Sequence, residues 1–341
     1  MNYLDNFKNV IADYRTRIDE RLSSYLTEET NLISYVNMNG KYPSSLYEPL
    51  NHIMSGGGKR IRPLILVLSC ETFGGKFEGA VDAAVAVEIL HNFTLVHDDI
   101  MDNANTRRGK ETIHKKWDVS TAILVGDELI GLSYRSLLKT RSRRIDDVVR
   151  SFTDGVIEVC EGQAFDKEFE TDDNVSMNDY FLMIKKKTAE LIRISSVIGS
   201  IIADASSEDI KGISTYSQNL GFAFQIQDDL LDVIAVESEF GKKIGGDIHE
   251  KKKTYLYLKA LELCGNDERK RLIKLYSSND LRNDTTGDII DIYMRSGAVE
   301  SAKAEIKSFT DKANESLSRL KTEDAKHRLR SFSDMLLNRG Y

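Results

Sequence analysis

The chain has 341 residues, 41% hydrophobic and 30% charged, with a formal net charge of −7. That composition excludes collagen-like, Pro/Gly-rich and generally disordered classes, and its acidic balance does not favour nucleic acid as a partner. Three widely spaced cysteines, Cys70, Cys160 and Cys264, indicate neither a disulfide framework nor a zinc site.

Residues 1–38 read as one amphipathic, acidic helix without the apolar core of a signal peptide, which points to the cytoplasm. The turn-rich NMNGKYPSSL leads to a segment restarting at Ser44 or Ser45. SGGGKRIRP (55–63) then runs three glycines into a basic cluster, followed by the apolar LILVLSCETF. Helical patterns cover 80–103, 121–139, 146–167, 178–203 and 211–236. A lysine-rich loop at 241–253 precedes further amphipathic segments. Pro63 is the last of three prolines, so the following 278 residues contain no obligatory helix breaker. Alternating strand periodicity is nearly absent, no repeat of 20–50 residues is visible, and no Ser/Pro-rich linker divides the chain. The expectation is one all-α domain over 1–341. No run reaches the roughly 18 apolar residues of a membrane span, so no transmembrane segment is expected.

Two acidic clusters stand out, Asp98-Asp99-Ile100-Met101-Asp102 and Asp228-Asp229-Leu230-Leu231-Asp232. Carboxylates at i and i+4 stack on one helix face, with i+1 about 100° away. Like charges so placed destabilise a helix unless something neutralises them. The flanks ILHNFTLVHDDIM and LGFAFQIQDDLLDVIA are too apolar for a solvated acidic face, and a buried carboxylate needs a partner or a metal. Hard oxygen donors suit Mg²⁺, which commonly binds one or two carboxylates together with substrate phosphates. Two facing acidic helices holding cations and a polyanion are the implied site.

Basic residues occur where such a polyanion needs them. Lys59, Arg60 and Arg62 follow the glycines, Arg107 and Arg108 follow the first cluster, Lys187 lies in KKKTAELIRI, and Lys242 and Lys252 flank the late loop. The runs Arg141–Arg144 and most of Lys185–Lys187 read as solvated surface.

These segments resemble the trans-isoprenyl diphosphate synthases, the polyprenyl synthetase family of farnesyl and geranylgeranyl diphosphate synthases. The matching stretches are GGKRIRP (57–63), EILHNFTLVHDDIMDNANTRRG (88–109), AILVGDELI (122–130), EGQAFD (161–166), KKTAEL (186–191), FQIQDDLLD (224–232) and GKKIGGDIHEKKKT (241–254). The resemblance implies antiparallel helices around a deep central cavity, the isoprenoid synthase type I fold, in a homodimer. It implies head-to-tail condensation of isopentenyl diphosphate with an allylic diphosphate to a short all-trans prenyl diphosphate. Three Mg²⁺ ions are implied once substrate is bound. Asp98, Asp102 and Asp228 would be direct ligands, with Asp99, Asp229 and Asp232 acting directly or through water. Arg107, Lys187, Lys242 and Lys252 would hold the allylic diphosphate. Lys59, Arg62, His91 and Arg108 would hold isopentenyl diphosphate. The Lys187 carbonyl, Thr188 and Gln225 would lie beside the developing cation, and Gln163 and Asp166 would support them. His97, His114 and His249 carry no assignment.

In this family, product length follows residue size ahead of the first aspartate motif, which here means Phe93 and Thr94. A helical wheel puts Thr94 on the aspartate face and turns Phe93 toward ordinary core; the resemblance makes Phe93 the pocket floor and favours a C20 product, then C15. Asp118 and Lys251 depart from the family's common residues, and Arg339-Gly340-Tyr341 form a tail that either closes over phosphate or frays. The competing readings are a class I terpene cyclase and a non-catalytic prenyl-diphosphate-binding partner subunit. The second aspartate motif and GGKRIRP argue against the cyclase, and the retention of both clusters and the arginine pair argues against the partner subunit.

Overall fold

The computed structural model describes residues 3–36, 43–234, 245–277, 283–320 and 322–337. In chain order the first helices are α1 (Tyr3–Val36), α2 (Ser44–Met54), α3 (Ile61–Thr72), α4 (Phe77–Met101), α5 (Ile113–Lys116), α6 (Val119–Leu137) and α7 (Ile145–Phe169). They are followed by α8 (Met177–Ile184), a π-turn (Lys185–Ala189), α9 (Glu190–Ile202) and α10 (Ser207–Ile234). Helices at Gly246–His249, Tyr255–Leu263, Asn266–Tyr276, Asn283–Ser296, Ala298–Ser316 and Glu323–Leu337 complete the described chain. The all-α expectation holds, and two two-residue strands, β1 (Thr106–Arg107) and β2 (Lys110–Glu111), are the only strands among the described residues.

Several boundaries differ from the sequence reading. Helix α4 starts at Phe77 and ends at Met101, so Asp102 sits at its C-cap, and Asn103 with φ 51° turns the chain out of the helix. The sequence reading missed the β1–β2 hairpin. Its two-residue loop, Arg108-Gly109, has φ of 54° and 76°, the mirror-image turn that suits a right-twisted pair of strands. Asp118, one of the two departures, caps α6: its carboxylate accepts from the Thr121 amide at 2.8 Å and hydroxyl at 2.9 Å.

The described residues form two compact units. The first takes 1–156, 194–214 and 320–331; the second takes 157–193, 215–319 and 332–341. In the first unit, α4 packs most extensively on α6 and α3, and α1 lies against α4 and α3. Helix α4 is apolar on nearly every side, with Ala83, Val85, Val87, Ile89 and Leu90 all buried, as a core helix must be. By length and composition α4 is also long and apolar enough to cross a membrane, contrary to the sequence expectation, which required an uninterrupted apolar run. In the fold, 67% of its apolar window is buried inside the protein. In the second unit, Tyr180, Ile184, Ile226, Leu230, Leu256 and Tyr293 belong to one core, and Tyr255–Leu263 packs on Ala298–Ser316 and Asn283–Ser296.

Candidate active site

In the first unit the acidic cluster ends α4. Asp98 and Asp102 are half-buried, one turn apart, while Asp99 points inward and is 3% exposed. The hairpin supplies its partner: Arg107 reaches Asp99 Oδ1 through Nε at 2.8 Å and Nη2 at 2.6 Å. Burial pushes the Asp99 carboxyl up from its ordinary range, and the Arg107 guanidinium works against that rise. Arg107 itself is held more firmly charged than usual, because the Asp99 carboxylate outweighs the cost of its own burial.

One residue along, the same hairpin turns Arg108 toward the glycine loop, where it donates to the Gly57 carbonyl. A Cβ on Gly58 would stand 3.0 Å from Arg60 Nη1 and 3.2 Å from Arg108 Nη1. The close approach that the glycines permit is therefore made by two guanidinium groups. Lys110 holds the hairpin to the end of α2 through Ser55 Oγ at 3.1 Å.

His91 stands two turns before Asp98 on α4. Arg62 Nη1 lies 3.2 Å from its Nε2. Burial first, then Arg62, Arg108, Arg107 and Arg60, push the imidazole well below its ordinary value, so it is neutral. A guanidinium only donates, so Nε2 accepts and the ring proton lies on Nδ1. That Nδ1 is buried without a hydrogen-bond partner among the described residues, a donor suited to an anion's oxygen. Phe93 is 7% exposed and meets His97 edge to face at 4.8 Å, in keeping with the wheel's core reading. His97 in turn packs where a Cβ on Gly126 would sit, 2.1 Å from its Nε2. The Thr94 hydroxyl donates back to the His91 carbonyl at 2.8 Å.

In the second unit the acidic cluster lies near the end of α10. Asp228 is half-buried. Asp229 is buried and accepts from Gln225 Nε2 at 2.8 Å, Tyr180 Oη at 2.7 Å and the Tyr255 amide at 3.1 Å. Burial pushes its carboxyl up to about 6 against those three donors. Asp232 takes the amides of Gly246 and Asp247 at 3.2 and 3.1 Å, fixing the start of the following turn. In both clusters the second aspartate is thus an inward anchor, and Asp232 is a third.

The π-turn carries Lys187 and Thr188. Lys187 Nζ pairs with Asp166 at 2.5 Å, and Thr188 Oγ1 donates to Gln225 Oε1 at 2.7 Å. A continuous relay runs from Thr188 through Gln225 to Asp229, and it fixes which way the Gln225 amide faces. Lys186, read from sequence as surface, bridges Glu158 and Glu161 at 2.6 Å each. Gly162 of α7 lies so close that a Cβ there would be 2.3 Å from the Lys187 backbone nitrogen. Lys252 pairs with Glu250 at 2.5 Å, and its carbonyl accepts from Tyr276 at 2.7 Å. Lys251, the second departure, adopts φ 57°, a conformation that glycine enters without strain. Lys242 and Arg339-Gly340-Tyr341 lie outside the described residues. Tyr180 and Lys186 are functional-site neighbours that sequence reasoning missed; Tyr180's only signal was a tyrosine on the apolar face of MNDYFLMI.

A sequence model described as polyprenyl synthetase matches residues 43–293. The chain belongs to the polyprenyl synthetase family. It is 39% identical over 322 residues to a geranylgeranyl diphosphate synthase of Sulfolobus acidocaldarius, covering 92% of this chain and 93% of that one. It is 35% identical over 334 residues to a short chain isoprenyl diphosphate synthase of Methanothermobacter thermautotrophicus, covering 98% of each. The fold matches the crystal structure of a geranylgeranyl pyrophosphate synthetase from Pyrococcus horikoshii with a TM-score of 0.88 at 34% identity, over 98% of this chain and 100% of that one. The all-helical isoprenoid synthase fold expected from the motifs is the fold of this chain.

The family implies Mg²⁺, and the donor set fits it. In the first unit Asp98 and Asp102, and in the second unit by itself Asp228, carry hard carboxylate oxygens at half-buried positions, and Asp99 and Asp229 beside them accept from Arg107 and from Gln225. Among the described residues no three His, Cys, Asp or Glu side chains converge into an all-protein cage.

Proposed function

We propose that this prenyltransferase condenses isopentenyl diphosphate with an allylic diphosphate and releases mainly a C20 all-trans product, with C15 next. The prenyltransferase class follows from family membership, and the relatives' names favour C20 over the cyclase and partner-subunit readings. The observation that carries the assignment of groups is the cationic cluster of Arg62, Arg107 and Arg108 around neutral His91, two turns before Asp98.

In this reading Asp98, Asp102 and Asp228 hold Mg²⁺, which when bound supplies Lewis-acid stabilisation of the departing diphosphate. Arg107 and Lys187, with Lys242 and Lys252, hold the allylic diphosphate. Lys187 exchanges its Asp166 partner for phosphate oxygen, and Asp99 keeps the Arg107 fork in place. Lys59, Arg62, Arg108 and the His91 Nδ1–H hold isopentenyl diphosphate. Thr188 and Gln225, fixed by the Asp229 relay, present oriented dipoles to the allylic cation without reacting with it. Water has to be excluded while the cation lasts. The departing diphosphate takes the final proton, so the chain supplies no general base. Phe93 limits chain growth. The apolar side chains of Val119, Ile123 and Leu124, exposed on α6, support a homodimer.

The test is incubation of the pure protein with Mg²⁺, isopentenyl diphosphate and C5, C10 or C15 primers, followed by chromatography of the dephosphorylated products. A dominant C20 alcohol is expected; no elongation of any primer would overturn the reading.

A further inference from the structure

Arg60 lies inside the basic segment GGKRIRP, yet it is 5% exposed and faces the protein. Its Nε pairs with Asp19 of α1 at 2.6 Å, and its Nη1 pairs with Glu88 of α4 at 2.5 Å. The same Nη1 donates to the Gly57 carbonyl at 3.3 Å, the carbonyl that also receives Arg108. Glu88 is 2% exposed and stands one turn before His91. Asn92 is bonded to its backbone carbonyl at 2.8 Å, which ties the carboxylate's own turn of α4 to the next.

The backbone of Arg60 is unusual as well. It has φ 52° and ψ 35° at the residue that opens α3, a left-handed conformation that an arginine enters only under constraint. A buried ion pair does not account for itself by stability, since apolar side chains of equal volume often hold a fold as well. What the pair does is conformational. It pins the guanidinium, the pinned guanidinium sets the Gly57 carbonyl, and the reversal at Arg60 sets the directions in which Lys59 and Arg62 leave the loop. Glu88 also places its charge against the Arg60 guanidinium, deep in the protein behind the loop that carries Lys59 and Arg62.

We propose that Glu88, acting through Arg60, is a positioning residue for the isopentenyl diphosphate half of the reaction. It shapes the loop that presents Lys59 and Arg62 and seats Arg108, and it touches no substrate. The inference rests on the reading that Lys59, Arg62, His91 and Arg108 bind that diphosphate.

The experiment compares wild type, the charge-free pair R60M/E88L and the isosteric Glu88→Gln. Each is titrated calorimetrically with isopentenyl diphosphate alone, then assayed for kcat and for both KM values, with melting temperature as the control for folding. R60M/E88L is expected to melt near wild type while its Kd and KM for isopentenyl diphosphate rise about tenfold, the weight of one misplaced charged hydrogen bond. Its kcat and allylic KM stay close to wild type. Should R60M/E88L not fold, Glu88→Gln decides by the same split. Unchanged Kd and KM in a folded variant, or an equal rise for both substrates, would overturn the positioning role. Wild type that condenses the substrates with unchanged variants sinks this proposal alone. Wild type that neither binds nor turns over isopentenyl diphosphate sinks the functional reading with it.

Discussion

Gly162→Ala is a one-methyl perturbation aimed at the π-turn. The added Cβ would lie 2.3 Å from the Lys187 nitrogen and 2.7 Å from both the Lys186 carbonyl carbon and the Lys187 Cα, whereas ordinary contact begins at 3.4 Å. All three atoms are backbone, so no rotamer relieves the clash. The π-turn has to retreat from α7 by about 1 Å, and overpacking of this kind costs about 1–3 kcal/mol. The retreat works against the Lys186 bridge to Glu158 and Glu161 and against the Lys187–Asp166 pair, and it carries Thr188 away from Gln225. Misplacing a reacting group by about 1 Å costs on the order of 100-fold in rate. Thermal melting of Gly162→Ala should therefore fall by a few degrees, and kcat for condensation should fall by about 100-fold. A variant with wild-type melting and wild-type kcat would refute the claim that this contact sets the π-turn.

Lys251→Gly should raise stability by about 0.5 kcal/mol, since it relieves a left-handed lysine at the usual entropic cost of glycine; denaturant unfolding checks it. Phe93→Ala should shift the product beyond C20 by chromatography, with a stability loss of about 3–5 kcal/mol from the emptied core position. An unchanged product distribution would leave Phe93 as core alone. For His91 the folded value is depressed below the unfolded 6.5, so the unfolded chain takes a proton first as pH falls. Its contribution is present above that value and lost below it. Melting between pH 7 and pH 5 should fall more steeply in wild type than in His91→Gln, and parallel curves would contradict the burial of a neutral imidazole.

The helices and the two aspartate clusters were legible because both are local. Apolar periodicity and the missing prolines mark α4 and α10, and carboxylates four apart mark one face of each. What was not legible depends on residues far apart in the chain. From sequence Arg60 reads as one more cation for the polyanion; Asp19 and Glu88 enclose it instead. Tyr180 reaches Asp229 across 49 residues, and Lys186 finds its two glutamates back on α7, with α8 in between. The hairpin escaped notice because its first turn residue is Arg108, a side chain that seldom takes positive φ, and tertiary contacts rather than propensity hold it there. Asp102 was placed inside a helix that in fact ends one residue earlier, at the point where Asn103 turns left-handed.

We propose that the carboxylates of both clusters run one condensation. That claim is tested most directly by the turnover of isopentenyl diphosphate with a C15 primer and Mg²⁺ in wild type, Asp98→Ala and Asp228→Ala. Wild type should yield the C20 product, while each variant keeps its melting temperature and loses turnover by about 1000-fold or more, as expected when charge stabilisation of a leaving group is removed. Near-normal turnover by both variants would contradict the claim.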